Sequence, residues 1–566
     1  MHTRSLNKIV VWALAFSLFS CNDFLEETNY SGLTADRYYA TQAGMESLIN
    51  TCYTPMRFWY GKENGLALTE TGTDVMTRGN GLENPPVAEY NSELRGANAP
   101  LAFYWERFYA ALNACNTAIG RIGASPLSEE LKKTREGEAR FLRAFYLWHI
   151  VETWGGVHFT TEETNGLILT ANRTPVEKFY EQIFEDLRIA TENLPAATSD
   201  YGRVTKPAAE AFLARMHLTR KNYSEASRLA KKVISDYNYK LVPSFSELWN
   251  INNIKNTEAI FVVNFTTDLI LNREIDETIG DNSSSLTIRD GGNNSHMMFL
   301  MTYDQLPGMQ RSIDYGRPFA RIMPTTYLLD LFDETKDSRF VTTFQSVWAS
   351  NKPGTYKVNN GDTKQDEKEV TFKSGDTAIY ATKYVIPKEA RIAKKYTVLD
   401  RSKTYNTDGT IKVRDRYMSL KKFLDPTRLT ISQQQGKRDA FVLRLAEMYL
   451  IVAEAEMNLG NLDEGTTYFN AVRKRAALPG KESDMLITAD DLTIDAILDE
   501  RAREFVGEQL RWFDLKRTGK LLERVRLYNP DAKNNIQDYH LVRPIPQVQL
   551  DAVTNKSEFF QNEGYQ

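Results

Sequence analysis

The chain has 566 residues, 42% of them apolar and 25% charged, with a formal net charge of −4. That length can bury a large core. So balanced a charge gives no general attraction to nucleic acid or to an anionic membrane surface, so neither class of partner is expected on charge grounds.

The first residues do not belong to the fold. His2, Arg4 and Lys8 form a basic start, and residues 9–19 form an apolar run that is too short to span a bilayer and suits a secretory signal. The run ends in Leu18-Phe19-Ser20-Cys21, similar to a bacterial lipobox whose cysteine becomes the acylated first residue. The competing reading is an ordinary signal with a coincidental cysteine. Acyl chains such as palmitate on Cys21 would anchor the body to a membrane, each buried methylene contributing about 0.8 kcal/mol. Residues 21–32 then form a tether. Cys52 and Cys115 sit at apolar helical positions and read as buried free thiols, and no CxxC or Cys/His cluster suggests a metal.

Met45, Leu48, Ile49, Cys52, Tyr53 and Met56 give the first helical stripe. Residues 57–100 lose that period and gain Gly, Asn, Pro and Thr, which predicts a long exposed segment. Helices resume with Trp105, Phe108, Tyr109, Leu112, Cys115 and Ile119, then Ala139, Leu142, Tyr146 and Ile150, stopped at Gly155-Gly156. Thr174-Pro175 with Glu177 opens the next helix, ended by Pro195. Ala209, Phe212, Leu213 and Met216, then Ala226, Leu229, Ala230, Val233, Ile234 and Tyr237, form a helix pair joined at residues 222–226. That join recurs at 461–465, between the stripes Val442, Ala446, Tyr449, Leu450, Ala453, Met457 and Tyr468, Phe469, Val472, Ala476. Hairpins of about 34 residues with this pattern resemble tetratricopeptide repeats. They are interrupted here, not tandem.

The interruption, residues 241–437, is less regular. Residues 258–265 alternate toward a strand, 280–295 form a polar loop, 348–376 read as loop again, and one helix is expected near 325–332. Near the C-terminus, Thr488 with Asp491 reads as a capping box opening a helix through Ile494, Ile497, Leu498, Ala502 and Phe505, with Gly507 as its stop. The other face carries Glu500, Arg501, Arg503, Glu504 and Glu508, with Arg511 and Asp514 beyond the break.

Enzymatic chemistry has no clear signature. There is no HExxH, GxSxG or phosphate-cradling glycine loop, and His149 and His217 lie in helical stripes as satisfied core groups. Asp290-Gly291-Gly292-Asn293 could touch Ca2+ but lacks the acidic spacing of an EF-type loop, so no cofactor is expected. Glycoside hydrolysis is the hardest class to exclude, because its two carboxylates need only meet in space. Glu500 and Glu504, one turn apart among arginines, favour ionised, salt-bridged carboxylates over a protonated general acid.

Several stretches together resemble the SusD/RagB family of surface lipoproteins of Bacteroidetes. They are the lipobox at Cys21; EARFLRAF at 138–145 leading into WGGV at 154–157; RLAEMY at 444–449 with AEA at 453–455; residues 500–519; PIP at 544–546; and QNEGY at 561–565. The chain departs from the family's pattern at Arg543 and Glu563. The resemblance implies a mostly α fold, a tetratricopeptide-like scaffold of helical hairpins with an irregular, loop-rich ligand-binding part. It divides the chain into a signal peptide (1–20), tether (21–32), N-terminal scaffold (33–240) with a ligand-loop insertion (57–100), irregular binding region (241–437) and C-terminal hairpins (438–566). It also implies a non-catalytic protein on the outer face of the outer membrane that captures an oligosaccharide or polysaccharide and delivers it to a SusC-like TonB-dependent transporter. Sugars lay apolar faces on aromatic rings and pair hydroxyls with Asn, Asp and Arg. The ligand candidates are Trp59, Tyr60, Asp74, Arg78, Asn80 and Tyr90, the pair Asp74 and Arg78 lying in a segment similar to one that makes ligand contacts in glycan-binding members. Tyr303, Tyr315 and Trp348 are further candidates, each aromatic with the competing reading of a packing anchor. The same architecture binding peptides and a secreted glycan-cleaving enzyme are the alternatives.

Overall fold

The computed structural model describes residues 34–266 and 292–565. Cys21, the signal and tether, Asp290 and most of the polar loop at 280–295 lie outside them.

The principal helices follow the apolar periods closely. Helix α1, Gln42–Tyr53, is capped by Thr41, whose hydroxyl accepts from Gly44 N, and buries Met45, Leu48, Ile49 and Cys52. Cys52 and Cys115 are both buried and unbridged. Between α1 and the next long helix lies α2, Glu63–Glu70. Helix α3, Ala99–Arg121, is capped by Asn98. Helix α4, Glu129–Trp154, is buried continuously from Phe141 onward, so that part has no polar face and runs through the centre. Its His149 differs from expectation: neither ring nitrogen has a hydrogen-bond partner among the described residues. Burial holds its pKa well below the ordinary value and so keeps it neutral.

Helices α5 (Val176–Asn193), α6 (Lys206–Thr219), α7 (Tyr223–Asp236), α8 (Leu445–Leu459) and α9 (Leu462–Arg475) complete the scaffold. Each packs on the next, α4 on α5 through α8 on α9, so the stack of hairpins is continuous in space although its sequence is interrupted after α7. A strand pair closes the interruption. Ala259–Val263 runs antiparallel to Ala440–Arg444, so the chain leaves and re-enters the scaffold at one place. This is a tetratricopeptide-like helical fold, as the spacing of the two joins implied.

The inserted part is built from small sheets. Met76–Arg78 pairs with Ile322–Pro324, and Val347–Ala349, Thr377–Ala381 and Thr397–Leu399 form a three-stranded sheet. The loop expected at 348–376 is instead mostly a hairpin, with six residue pairs between Gly354–Asn359 and Glu367–Phe372. In its two strands only Val358, Val370 and Phe372 are buried, too sparse an alternation to stand out among charged neighbours.

Of three C-terminal helices, α10 (Ile494–Phe505) packs on α8, while α11 (Arg511–Arg517) packs on α2 and, with α12 (Leu521–Tyr528), holds Asp74. The capping box at Thr488 and Asp491 closes a 3-10 turn rather than α10, whose cap is Thr493. Gly507 turns the chain at φ +77°, where an added Cβ would meet the Phe423 ring at 2.6 Å.

Most of the charged face of α10 is internal: Glu500, Arg501 and Glu504 are buried, and Arg503 is half-buried. Arg339 reaches Glu500 at 2.7 Å and Glu504 at 2.9 Å, while Arg444 reaches Glu504 at 2.7 Å, Glu258 at 2.8 Å and Glu508 at 2.8 Å. Arg475 closes the ring onto Glu258 and Glu504. Burial alone would raise the Glu504 pKa, but Arg475, Arg444 and Arg339 outweigh it and hold the carboxyl below its ordinary range; Arg339, Arg503 and Arg473 do the same for Glu500. A carboxyl with a depressed folded-state pKa contributes stability above its unfolded value and loses it as pH falls through the folded one. Glu70 and Asp439, which burial raises to about 7 and about 6, take up their protons above that window. Stability to denaturant should therefore fall steadily below about pH 4.5, and a flat acid limb down to pH 2 would contradict the ion-pair account.

Candidate functional site

The segment 57–100 is not the exposed loop its composition predicts. Residues 59–63 and 65–77 are buried throughout. Its threonines turn inward as local caps: Thr69 donates to Gly65 O at 2.7 Å, Thr71 to Ala67 O at 2.5 Å and Thr73 to Glu70 O at 2.6 Å. Gly61 and Gly72 take φ +69° and +67°, so the chain folds back on itself.

Most of the sequence candidates are consequently enclosed. Trp59 and Tyr60 pack against His149 and the α4 aromatics, and Gln509 Nε2 donates to Trp59 O at 3.0 Å. Asp74 is fully buried between Arg511, at 2.7 and 2.5 Å, and Arg524, at 2.7 Å. Those two arginines overcome burial and lower its pKa, so it locks the C-terminal helices onto residues 73–78. Tyr90 is buried under the Arg543 guanidinium. Tyr303 is buried and donates to Gly316 O at 2.6 Å, and Trp348 lies inside the three-stranded sheet. Arg78, Asn80 and Tyr315 keep some exposure. Arg78 is paired with Glu89, Asn80 donates its backbone N–H to Arg414 O at 3.0 Å, and the Tyr315 hydroxyl accepts from Ala349 N at 2.7 Å. None of the nine lines the largest cleft described below.

That cleft, of about 830 Å³, opens beside the buried part of the same segment, between residues 58–64, 83–104 and 294–298. Its volume falls among ligand sites of about 300–1,000 Å³. Two half-buried rings form its apolar wall: Phe58 and Phe103 meet edge to face, centroids 5.9 Å apart at 84°. Arg107 lies over both rings, 4.9 and 5.1 Å from their centroids. The wall is fixed from behind by Tyr104, whose hydroxyl donates to Phe58 O at 3.0 Å.

The polar wall combines amides with charged side chains. Asn84 and Asn98 exchange hydrogen bonds at 3.2 and 2.9 Å, and Asn98 also caps α3. Asn64 is half-buried and lines the cleft. Asn294 donates its backbone N–H to Gly61 O at 2.8 Å and its side-chain amide to Gln434 O at 2.9 Å, tying the far wall to the near one. Asn293 spends its side chain on Ser295 N and Arg438 O, so it is a turn anchor and not an open oxygen ligand. Such a surface can stack an apolar ring face and exchange hydrogen bonds with hydroxyls. Smaller clefts lie at Tyr201 and Arg203, about 280 Å³, and at Trp249 and Val341, about 420 Å³.

Phe58, Phe103, Asn64, Asn84 and Asn98 carry a signal that periodicity passes over. Phe103 falls on the opposite side of α3 from the stripe of Trp105, Phe108 and Leu112 and is only partly buried there.

Scaffold and cleft together define a tetratricopeptide-like helical protein with an aromatic- and amide-lined recess at the edge of its irregular part. A sequence model of the SusD family matches residues 282–565, and one described as "Starch-binding associating with outer membrane" matches residues 23–218. This chain belongs to the SusD family. It is 25% identical to SusD-like protein P25 of Formosa agariphila, over 99% of both chains. It is 25% identical to the starch-binding protein SusD of Bacteroides thetaiotaomicron, over 76% of this chain and 73% of that one. Among solved structures, a laminarin-binding SusD-like protein superposes with TM-score 0.68 at 22% identity, covering 93% of this chain and all of that one. Surface glycan-binding protein A of B. thetaiotaomicron gives 0.67 at 19%, with 93% and 100% covered. These two likenesses bear on the fold.

Proposed function

We propose that this protein is a non-catalytic, lipid-anchored binder of oligosaccharide or polysaccharide at the outer-membrane surface, which passes its ligand to a SusC-like TonB-dependent transporter. The observation that carries the reading is the recess at Phe58 and Phe103, faced by the amides of Asn64, Asn84 and Asn98. Family membership supports it, as do the starch, laminarin and glycan named for its relatives. The carboxylates that invited a hydrolytic reading, Glu500 and Glu504, are ionised and fully enclosed by arginines, which suits structure and not proton transfer to a sugar. Binding of this kind calls for no cofactor.

The test is calorimetry of the chain from residue 22 onward against a polysaccharide panel, with an assay for released reducing ends. Saturable binding without release is expected. Release of reducing ends would contradict the non-catalytic reading, and binding to peptide mixtures but to no polysaccharide would move the ligand to peptides. The anchor has its own test. Cys21→Ala should move the protein from the membrane to the soluble fraction, and a variant that stays anchored would contradict lipidation at that residue.

A further inference from the structure

Every charge that lines the cleft is already committed. Three carboxylates, Glu63, Glu83 and Glu93, stand against two cations, Lys62 and Arg95. Arg321, beside them, spans Glu63 at 3.0 Å and Glu83 at 2.8 Å. Lys62 is buried and donates to Gly292 O and toward Asn294 Oδ1. Arg95, at the rim, holds Glu93 at 3.0 Å. Arg107, which has no carboxylate ion pair among the described residues, does not line the recess and is spent on the rings of Phe58 and Phe103.

We infer that the cleft selects neutral glycans and discriminates against those carrying uronate or sulfate groups; this rests on the sugar-binding reading above. Recognition of an anion requires a cation that can turn to it, usually an arginine fork. Here an approaching carboxylate or sulfate must displace Glu93 from Arg95, or Glu63 and Glu83 from Arg321, and meets their negative charge while doing so. A neutral ring meets none of this. It covers the Phe58–Phe103 wall and exchanges hydroxyl hydrogen bonds with uncharged amides, whose strength does not depend on salt.

The experiment measures affinity for a neutral galactan and the same galactan after chemical sulfation, and for β-glucan, α-glucan and mannan against polygalacturonate, at low and high salt. The neutral polymer that binds should do so at least about tenfold more tightly than any anionic one, with an affinity that salt barely changes. Glu93→Gln, which releases Arg95 at an exposed position, should narrow that ratio. An anionic polymer binding as tightly as the best neutral one, with affinity falling steeply in salt, overturns the selectivity while leaving glycan binding intact. Binding to none of the polymers overturns both.

Discussion

Glu504→Ala should destabilise the protein by about 3–5 kcal/mol, the cost of removing one partner from a buried charge network. Its carboxylate touches Arg339, Arg444 and Arg475 at once, and these arginines are themselves almost wholly enclosed. Truncation leaves three guanidiniums short of their counter-charge in a place water does not reach. Arg444 adds to the loss, because it also stacks over Phe505 at 4.2 Å and holds the helix end. An exposed pair elsewhere, Lys481 with Asp484 at 2.9 Å, should contribute less than about 1 kcal/mol when broken. Denaturant unfolding of both variants separates the two cases. If Glu504→Ala cost no more than Asp484→Ala, the network would not be what fixes α10. Because this network lies away from the cleft, ligand affinity per folded molecule should be retained; affinity lost without stability would return the α10 carboxylates to the ligand site.

Phe103→Ala should weaken glycan binding about tenfold, with the double variant Phe58→Ala/Phe103→Ala weakening it to the edge of detection. A sugar face gains from an aromatic wall only while the ring is held in place, and both rings are half-exposed at the recess and packed edge to face. Their exposure keeps the stability cost small, in contrast to the enclosed Trp59, whose truncation would empty part of the core. Calorimetry on the folded variants checks this. An unchanged affinity for Phe103→Ala, with Tyr201→Ala weakening binding instead, would move the ligand to the cleft near Arg203.

The scaffold was legible because burial and period agree there. Ala226, Leu229, Ala230 and Val233, read as one stripe, are all buried in α7, and the matching joins at 222 and 461 marked two hairpins whose helices α7 and α8 turn out to pack together. The strand at 258–265 was legible for the same reason, though nothing local could say that its partner lies at Ala440–Arg444. The site was far less legible. Thr, Gly and Asn mark exposed loops and inward-turned caps alike, so Thr69, Thr71 and Thr73 gave no warning that Trp59 and Asp74 are interior. Asp74 and Arg78 were drawn in by family likeness, yet the partners that claim Asp74, Arg511 and Arg524, lie more than 400 residues away in sequence. Phe58 sits next to the candidate Trp59 and differs from it in which side of a short turn, Met56–Trp59, it occupies.

The most direct measurement of the central claim is a crystal structure of the protein with the tightest-binding glycan from the panel. A sugar ring is expected to lie against Phe58 or Phe103, with hydroxyls paired to Asn64, Asn84 or Asn98. A glycan seated at Tyr201, at Trp249, or anywhere that leaves Phe58 and Phe103 uncovered would contradict it.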